Sequence, residues 1–357
     1  MSRLTVARID LEALKRNYQR ARTLAGPGQA MAVVKADGYG HGIEAVAGAL
    51  APYASRFAVA CIEEAVAIRG CGHRQTVALL QGAHEPGDLA ICQQEGFEPV
   101  LHNHQQVSWL ADDRAPAFWI KVNTGMNRLG FRPEELPAVM AGLEDSGRRP
   151  QALGFVTHFA CADDLDSDMT GLQTRLFEDA VAPWPALMRS VGNSAAHFRP
   201  EQPLYEWSRP GIMLYGGSPM LDKTGPELGL SPVMTLQAPL ITTRVVRAGE
   251  SVGYGASWTA EQDTRMGMVA IGYGDGYPRH AGTGTPAAVG GRRIRLIGRV
   301  SMDMLAVDLS NAPDAREGDM VELWGSTVSV DEVATCAGTI GYELLTGVTS
   351  RVPRVHE

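Results

Sequence analysis

Residues 30–42 read AMAVVKADGYGHG. The five apolar residues at 30–34 suit a strand buried on both faces, and the lysine and glycine-rich loop after them mark its end. The same rhythm continues outward along the chain. Apolar runs at 57–61, 77–80, 99–101, 117–122 and 153–157 alternate with amphipathic stretches. One of these, EEAVAIR at 63–69, puts charges on one face and Ala, Val and Ile on the other, as a βα unit should. Two weaker strand candidates, 188–191 and 211–215, bring the number to the eight that a closed parallel α/β barrel of the TIM type requires. A doubly wound sheet shares this alternation. The strand number and the reactive residues just past several strand ends favour the barrel.

From about residue 230 the texture changes. Alternating runs at 243–246, 266–271, 293–300 and 304–309 are broken by Gly and Pro, the pattern of antiparallel β structure. The stretch GTGTPAAVGG at 282–291 reads as a hairpin connection. The expected organisation is therefore an eight-stranded parallel barrel over 1–230 and a mainly antiparallel β domain over 231–357. A length of 357 residues agrees with two domains at roughly 150 residues each.

Composition narrows the function classes. With 45% hydrophobic and 20% charged residues the chain is globular, not disordered. Arg, Asp, Glu, Gly and Pro interrupt every apolar run before the 18 or more residues of a membrane helix, so no membrane partner is expected. A net charge of -8 without a basic stripe argues against nucleic acid. The first eighteen residues carry Asp10, Glu12, Lys15 and Arg16 in a helical-looking pattern instead of an apolar signal segment. Cys61, Cys71, Cys92, Cys161 and Cys336 form no CxxC pair and cannot all be bridged. Both observations lead to a cytoplasmic expectation.

Four constellations could carry chemistry. Lys35, delivered at a strand end, could be desolvated and act as a nucleophile toward a carbonyl; an exposed lysine before a turn is the ordinary alternative. Asn193-Ser194 and Arg209-Pro210-Gly211-Ile212 follow the last strand candidates, where barrels bind phosphate, although an N-cap serine and a Pro-Gly turn would look the same. Arg128, within KVNTGMNRLG at 121–130, and His158, after 153–157, would point into the same mouth. His102 and His104 would share a strand face but have no third ligand at metal-site spacing, so no metal is expected. The acidic run Asp163, Asp164, Asp166 and Asp168 lacks the glycine and terminal glutamate of a calcium loop.

The motifs VKADGYGHG (34–42), GMNRLG (125–130), THFA (157–160), NSA (193–195), SRPG (208–211), VGYGASW (252–258), GYGDGYPR (272–279) and SMDM (301–304) follow one another in this order. Together they resemble the bacterial alanine racemases, pyridoxal-phosphate enzymes of the barrel-type fold. The resemblance runs from ARIDL at 7–11 to RVPRV at 351–355. It implies that Lys35 binds the aldehyde of pyridoxal 5'-phosphate, that Tyr39, Ser194, Gly211, Ile212 and Tyr342 cradle its phosphate, and that Arg209 faces the pyridine nitrogen. It further implies two-base interconversion of L-alanine and D-alanine, with Lys35 on one face and Tyr254, supported by His158, on the other. The product would supply peptidoglycan, or the reaction would serve alanine catabolism.

In that family Tyr254 would come from the partner of a homodimer, with Met302 and Tyr273 beside the substrate carboxylate. Arg128 would contact both cofactor and substrate, Asp303 would shape the entry, and Lys121 would carry a carbamate. Asn123 stands where many relatives have Asp, Trp258 where a smaller aromatic is common, and Gly38 where Ala is frequent. Barrel-type decarboxylases would need a catalytic cysteine in the second domain and an acid in place of Arg209. Single-barrel cofactor carriers would lack the β domain altogether.

Overall fold

The computed structural model describes residues 4–111 and 115–357. Residues 1–3, the start of the helical-looking amino-terminal pattern, lie outside the described residues. Seven parallel strands run in sequence order around the first part of the chain: Ala32–Val33, Arg56–Val59, Thr76–Leu79, Phe97–Leu101, Phe118–Lys121, Ala152–Val156 and Met188–Ser190. An eighth position closes the curl. Trp207–Ser208 pairs in parallel with Gln29–Ala30, the Val33 amide donates to Pro210 O at 3.1 Å, and the Arg209 amide donates to Gly192 O at 2.7 Å. Helices such as Ile43–Leu50, Ile62–Gly70, Leu136–Asp145 and Met169–Val181 join successive strands. The strands are buried along nearly their whole length, as a parallel barrel covered by helices demands.

One strand expectation is corrected. Residues 211–215 are not a strand; Ile212–Tyr215 is a short 3-10 turn opened by Gly211, and the closing strand is Trp207–Ser208. A short apolar run buried on every side looks the same as strand or helix in sequence, and Ile212, Met213, Leu214 and Tyr215 are all buried. The amino-terminal helix Leu11–Leu24 packs on this turn, and its Asn17 donates to Leu214 O and Ser231 O.

Within the barrel, Glu98 is nearly fully buried. It accepts Arg56 Nη2 at 2.6 Å and Trp119 Nε1 at 2.8 Å, and the Arg56 guanidinium lies over the Trp207 ring. A charge inside a barrel is tolerated because both carboxylate oxygens are paired.

The second sheet has eight strands, and its long member Met234–Val246 pairs with Thr264–Val269, Met320–Trp324 and Val6–Ile9. The amino-terminal strand Val6–Ile9 thus joins the carboxyl-terminal sheet, where it also runs parallel to Arg354–His356. The stretch 282–291 is more than a connection. Pro286–Val289 is itself a strand antiparallel to Arg292–Ile297, and only Gly290 and Gly291, at φ 56° and 74°, form the turn. The pairs Ser251–Val252 and Trp258–Thr259 make a small hairpin with Tyr254 near its tip, seated on a local cluster of Val246, Val252, Met266 and Ile297. No helix among the described residues is long and apolar enough to cross a membrane.

Candidate functional site

The strand ends open into one cavity of about 1120 Å³. Twelve of the residues singled out above line it: Lys35, Tyr39, His102, Lys121, Arg128, His158, Asn193, Ser194, Arg209, Gly211, Ile212 and Tyr342. They come from separate barrel strands and from the helix Gly341–Gly347, so only the closed fold assembles them.

Lys35 enters on an unusual turn. Ala36, Asp37, Gly38 and Tyr39 all have φ between 53° and 60°, one turn of left-handed helix. L-residues resist this conformation by roughly 1–2 kcal/mol each, so surrounding bonds must hold it. The Gly38 amide donates to Val34 O, the Gly42 amide to Asp37 O, and the Ile43 amide to Asp37 Oδ1. His41 Nδ1 lies 3.1 and 2.9 Å from Gly38 O and Tyr39 O, so this nitrogen carries the proton. Glu64 accepts the amides of Ala36 and Ala60, tying the ends of two strands together.

Arg128 sits on a loop that Asn123 folds. Asn123 Oδ1 accepts the amides of Gly125 and Asn127, and the Asn123 amide donates to Phe131 O. On the far side, the buried Arg209 donates to Ser190 Oγ, to Thr157 O at 2.5 Å and to Val191 O, with His158 Nδ1 at 3.3 Å. Ser194 Oγ accepts the amides of Gly211 (2.7 Å) and Met213 (3.4 Å). A Cβ on Gly211 would stand 2.3 Å from Tyr39 Oη, so glycine is required for this approach.

Burial and mutual repulsion set the protonation. Burial, then the Arg128 charge, lowers Lys35 from the usual ammonium range, with Glu64 opposing. Burial, followed by Arg209, Arg128 and Lys35, brings Lys121 down to about 8. The same cations, after burial, push His158 well below its usual value, so it is neutral. Burial lowers Arg209 to about 10, still a cation at neutral pH. The mouth is therefore positively charged and suited to anionic ligands.

Four site candidates are elsewhere. Tyr254, Tyr273 and Met302 sit on loops of the second sheet, do not line this cavity and face outward, with Tyr254 71% exposed. Tyr273 and Met302 are neighbours there, since the Gly274 amide donates to Met302 O at 2.8 Å. Asp303 accepts Arg351 Nη2 at 2.7 Å.

His102 and His104 do not share a strand face. The strand Phe97–Leu101 ends first, Asn103 caps the helix His104–Ser108, and His102 turns into the cavity while His104 goes out to Glu135. Among the described residues no group of three His, Cys, Asp or Glu could hold a metal ion. Gln81, His84 and Glu64 belong to the site surroundings without having been singled out. Gln81 and His84 follow the strand Thr76–Leu79, the same strand-end signal that marks Lys35.

Comparison with known proteins agrees with this geometry. The alanine racemase N-terminal domain family matches residues 9–219, and the alanine racemase C-terminal domain family matches 233–356. An alanine racemase from Marinobacter nauticus is 82% identical over the full length of both chains. The biosynthetic alanine racemase of Pseudomonas aeruginosa is 48% identical over 98% of each chain. A crystal structure of biosynthetic alanine racemase from that organism superposes with a TM-score of 0.95, at 47% identity, over 99% of both chains. The Bartonella henselae alanine racemase, solved with covalently bound pyridoxal phosphate, superposes at 0.87 with 29% identity, over 99% of both chains. Both parts of the polypeptide, with the strand-end residues between them, place it in one group: the chain belongs to the alanine racemase family.

Proposed function

We propose that this chain interconverts L-alanine and D-alanine with pyridoxal 5'-phosphate held in the barrel mouth. The observation that carries the reading is the charge of that mouth: Lys35, Lys121, Arg128 and Arg209 face one space in which His158 stays neutral. A phosphate and a carboxylate supply the negative charge such a site lacks. The cradle also fits by shape. The missing Gly211 side chain leaves room beside Tyr39 Oη, and Ser194 Oγ, accepting two amides, keeps its own proton to donate to phosphate. Tyr342 and Ile212 complete that wall. When bound, the cofactor is an electron sink that acidifies the alanine Cα–H.

The residues divide the work as follows. Lys35 would hold the cofactor's aldehyde until the substrate amine displaces it, and the freed Nζ, with its lowered proton affinity, would move the Cα proton on one face. Arg209 stays protonated and can only donate, so it would leave a bound pyridine nitrogen without a proton, which would temper the sink and favour proton return over side reactions. Tyr254 Oη moves the proton on the opposite face. Because Tyr254 lies outside its own chain's cavity, we assign it to the mouth of a second copy, together with Met302 and Tyr273 beside the substrate carboxylate; the active form is a homodimer. His158, with Nδ1 accepting from Arg209, presents its Nε2 proton to stabilise the phenolate. Arg128 holds the substrate carboxylate and the cofactor's phenolic oxygen.

Lys121, neutral in part at physiological pH, is suited to adding CO2 and losing a proton, giving a carbamate that would offset the Arg128 charge. We place the protein in the cytoplasm, since its five cysteines are all free. The reaction is reversible, so one site serves both D-alanine supply for peptidoglycan and alanine catabolism. The test is to reduce the holoenzyme with borohydride and map the adduct, while following loss of optical rotation of L-alanine in D2O. An adduct on Lys35 with deuterium entering Cα is expected. An adduct on another lysine, or release of CO2 in place of racemisation, would refute the reading.

A further inference from the structure

The loop that carries Lys35 and Tyr39 is held from the far end of the chain. Arg354 Nε donates to Gly40 O at 3.1 Å. Its Nη1 donates to Thr349 O and Val352 O at 2.7 and 2.9 Å, and its Nη2 to Val348 O at 2.5 Å. Two residues on, His356 Nε2 donates to His41 O at 2.9 Å. Beneath the loop, a Cβ on Gly40 would lie 2.2 Å from Leu345 O, so the turn rests directly on the helix Gly341–Gly347. That helix carries Tyr342, whose ring centre is 6.2 Å from that of Tyr39.

These contacts address one problem. A left-handed turn that includes Ala36, Asp37 and Tyr39 has more comfortable conformations available, and the two carbonyls just after it, Gly40 O and His41 O, accept from the side chains of Arg354 and His356. A guanidinium fixed by three carbonyls of its own segment offers a rigid donor to the fourth.

We infer that Arg354 is a positioning residue for the cofactor loop: by holding Gly40 O, with His356 on His41 O, it keeps the turn Ala36–Tyr39 closed and sets where Lys35 and Tyr39 meet the cofactor. The inference rests on the roles of Lys35 and Tyr39 proposed above. Lysine would deliver a charge without the fork, so Arg354→Lys should fall between wild type and Arg354→Met.

The experiment uses full-length Arg354→Met, Arg354→Lys and His356→Phe. Apoprotein is titrated with pyridoxal 5'-phosphate, and amide exchange is followed in the peptide 35–43 and in the strand Met234–Val246. Arg354→Met should weaken cofactor binding about tenfold, the scale of one lost charge-assisted hydrogen bond, and speed exchange in 35–43 alone. Arg354→Lys should be intermediate, and His356→Phe should move both readouts the same way by less.

Wild-type affinity and loop exchange in folded Arg354→Met would overturn the inference, as would exchange rising equally in Met234–Val246. Should Arg354→Met not fold, unchanged affinity and exchange in His356→Phe would overturn it. The two failures separate. A borohydride adduct away from Lys35 in the wild-type protein removes the proposed roles and the inference with them, whereas an adduct on Lys35 with unaltered loop exchange in Arg354→Met removes the inference alone.

Discussion

Arg209 Nη2 stands 3.3 Å from His158 Nδ1, and that contact orients the imidazole. Because the guanidinium can only donate, Nδ1 accepts and the ring's proton is on Nε2. On the roles proposed above, one cation would act twice, leaving the pyridine nitrogen unprotonated and aiming a donor at the phenolate of Tyr254.

Arg209→Gln separates these effects from bracing. The amide can still donate to Thr157 O or Val191 O, which a carboxylate would repel. Racemisation should fall by roughly 10²-fold, the scale of a lost preorganised electrostatic partner. The ratio of pyruvate formed to alanine racemised should rise, because the ring nitrogen can now hold a proton. An unchanged ratio in cofactor-saturated protein would mean that Arg209 only braces the strand ends.

Tyr254 faces outward from its own chain, which makes complementation the direct test of a shared site. Inactive Lys35→Ala and Tyr254→Phe proteins, mixed and allowed to exchange subunits, should recover activity. Random exchange of equal amounts puts half the molecules in mixed dimers with one intact site of two, so recovery approaches about a quarter of wild type in a two-fold dimer. No recovery after verified exchange would take Tyr254 out of the neighbour's mouth.

Much of this site was legible because parallel barrel strands are continuous apolar runs, so the residue at which a run stops is a strand end. Lys35 and His158 were found this way, whereas Lys121 lay inside the run 117–122 and took its role from the family resemblance. The closing strand Trp207–Ser208 was not, since it is two residues long and its partner Gln29–Ala30 is far away in sequence. Nor was the pairing of Val6–Ile9 with the carboxyl-terminal sheet, a non-local contact with no local signal. Ala36 and Asp37 give no hint of positive φ, because the turn is imposed by bonds from Glu64, His41 and Arg354. Tyr254 owed its place wholly to the family resemblance.

Gly211→Ala should selectively disable the phosphate cradle. The added methyl would meet Tyr39 Oη at 2.3 Å, and Tyr39 cannot easily yield because its ring stacks on Tyr215 at 4.6 Å. Overpacking of this kind costs about 1–3 kcal/mol, so cofactor affinity should drop about tenfold or more. The double variant Gly211→Ala/Tyr39→Phe removes the colliding oxygen and should recover the fold's stability, without the hydroxyl's contribution to phosphate binding. Calorimetry of both apoproteins, with cofactor titrations, checks this. Equal melting of single and double variants would place the strain elsewhere.

The apoprotein should lose stability in mild acid, before its carboxylates titrate. His41 and His197 are buried neutral, and burial lowers each to about 4; His158 is lowered by burial and by Arg209. In the unfolded chain these rings take a proton near pH 6.5. Between 6.5 and about 4 the unfolded state therefore binds more protons than the folded one, so stability rises with pH and falls as the solution is acidified through this window. Each histidine contributes a slope of up to about 1.4 kcal/mol per pH unit. Carboxylates held low, such as Glu206 beside Arg189 and Asp308 beside Ser310 and Arg295, act in the same direction but only below their unfolded values near 4. Urea midpoints measured at pH 7.5, 6.5, 5.5 and 4.5 should hold steady over the first interval and then decline. His197→Gln, whose amide can bond Asn193 O or Ser208 Oγ without titrating, should reduce the slope by one proton's worth. A flat midpoint from 6.5 to 4.5 would show that these rings are hydrated or charged in the folded protein, and the neutral His158 proposed to stabilise the phenolate would go with them.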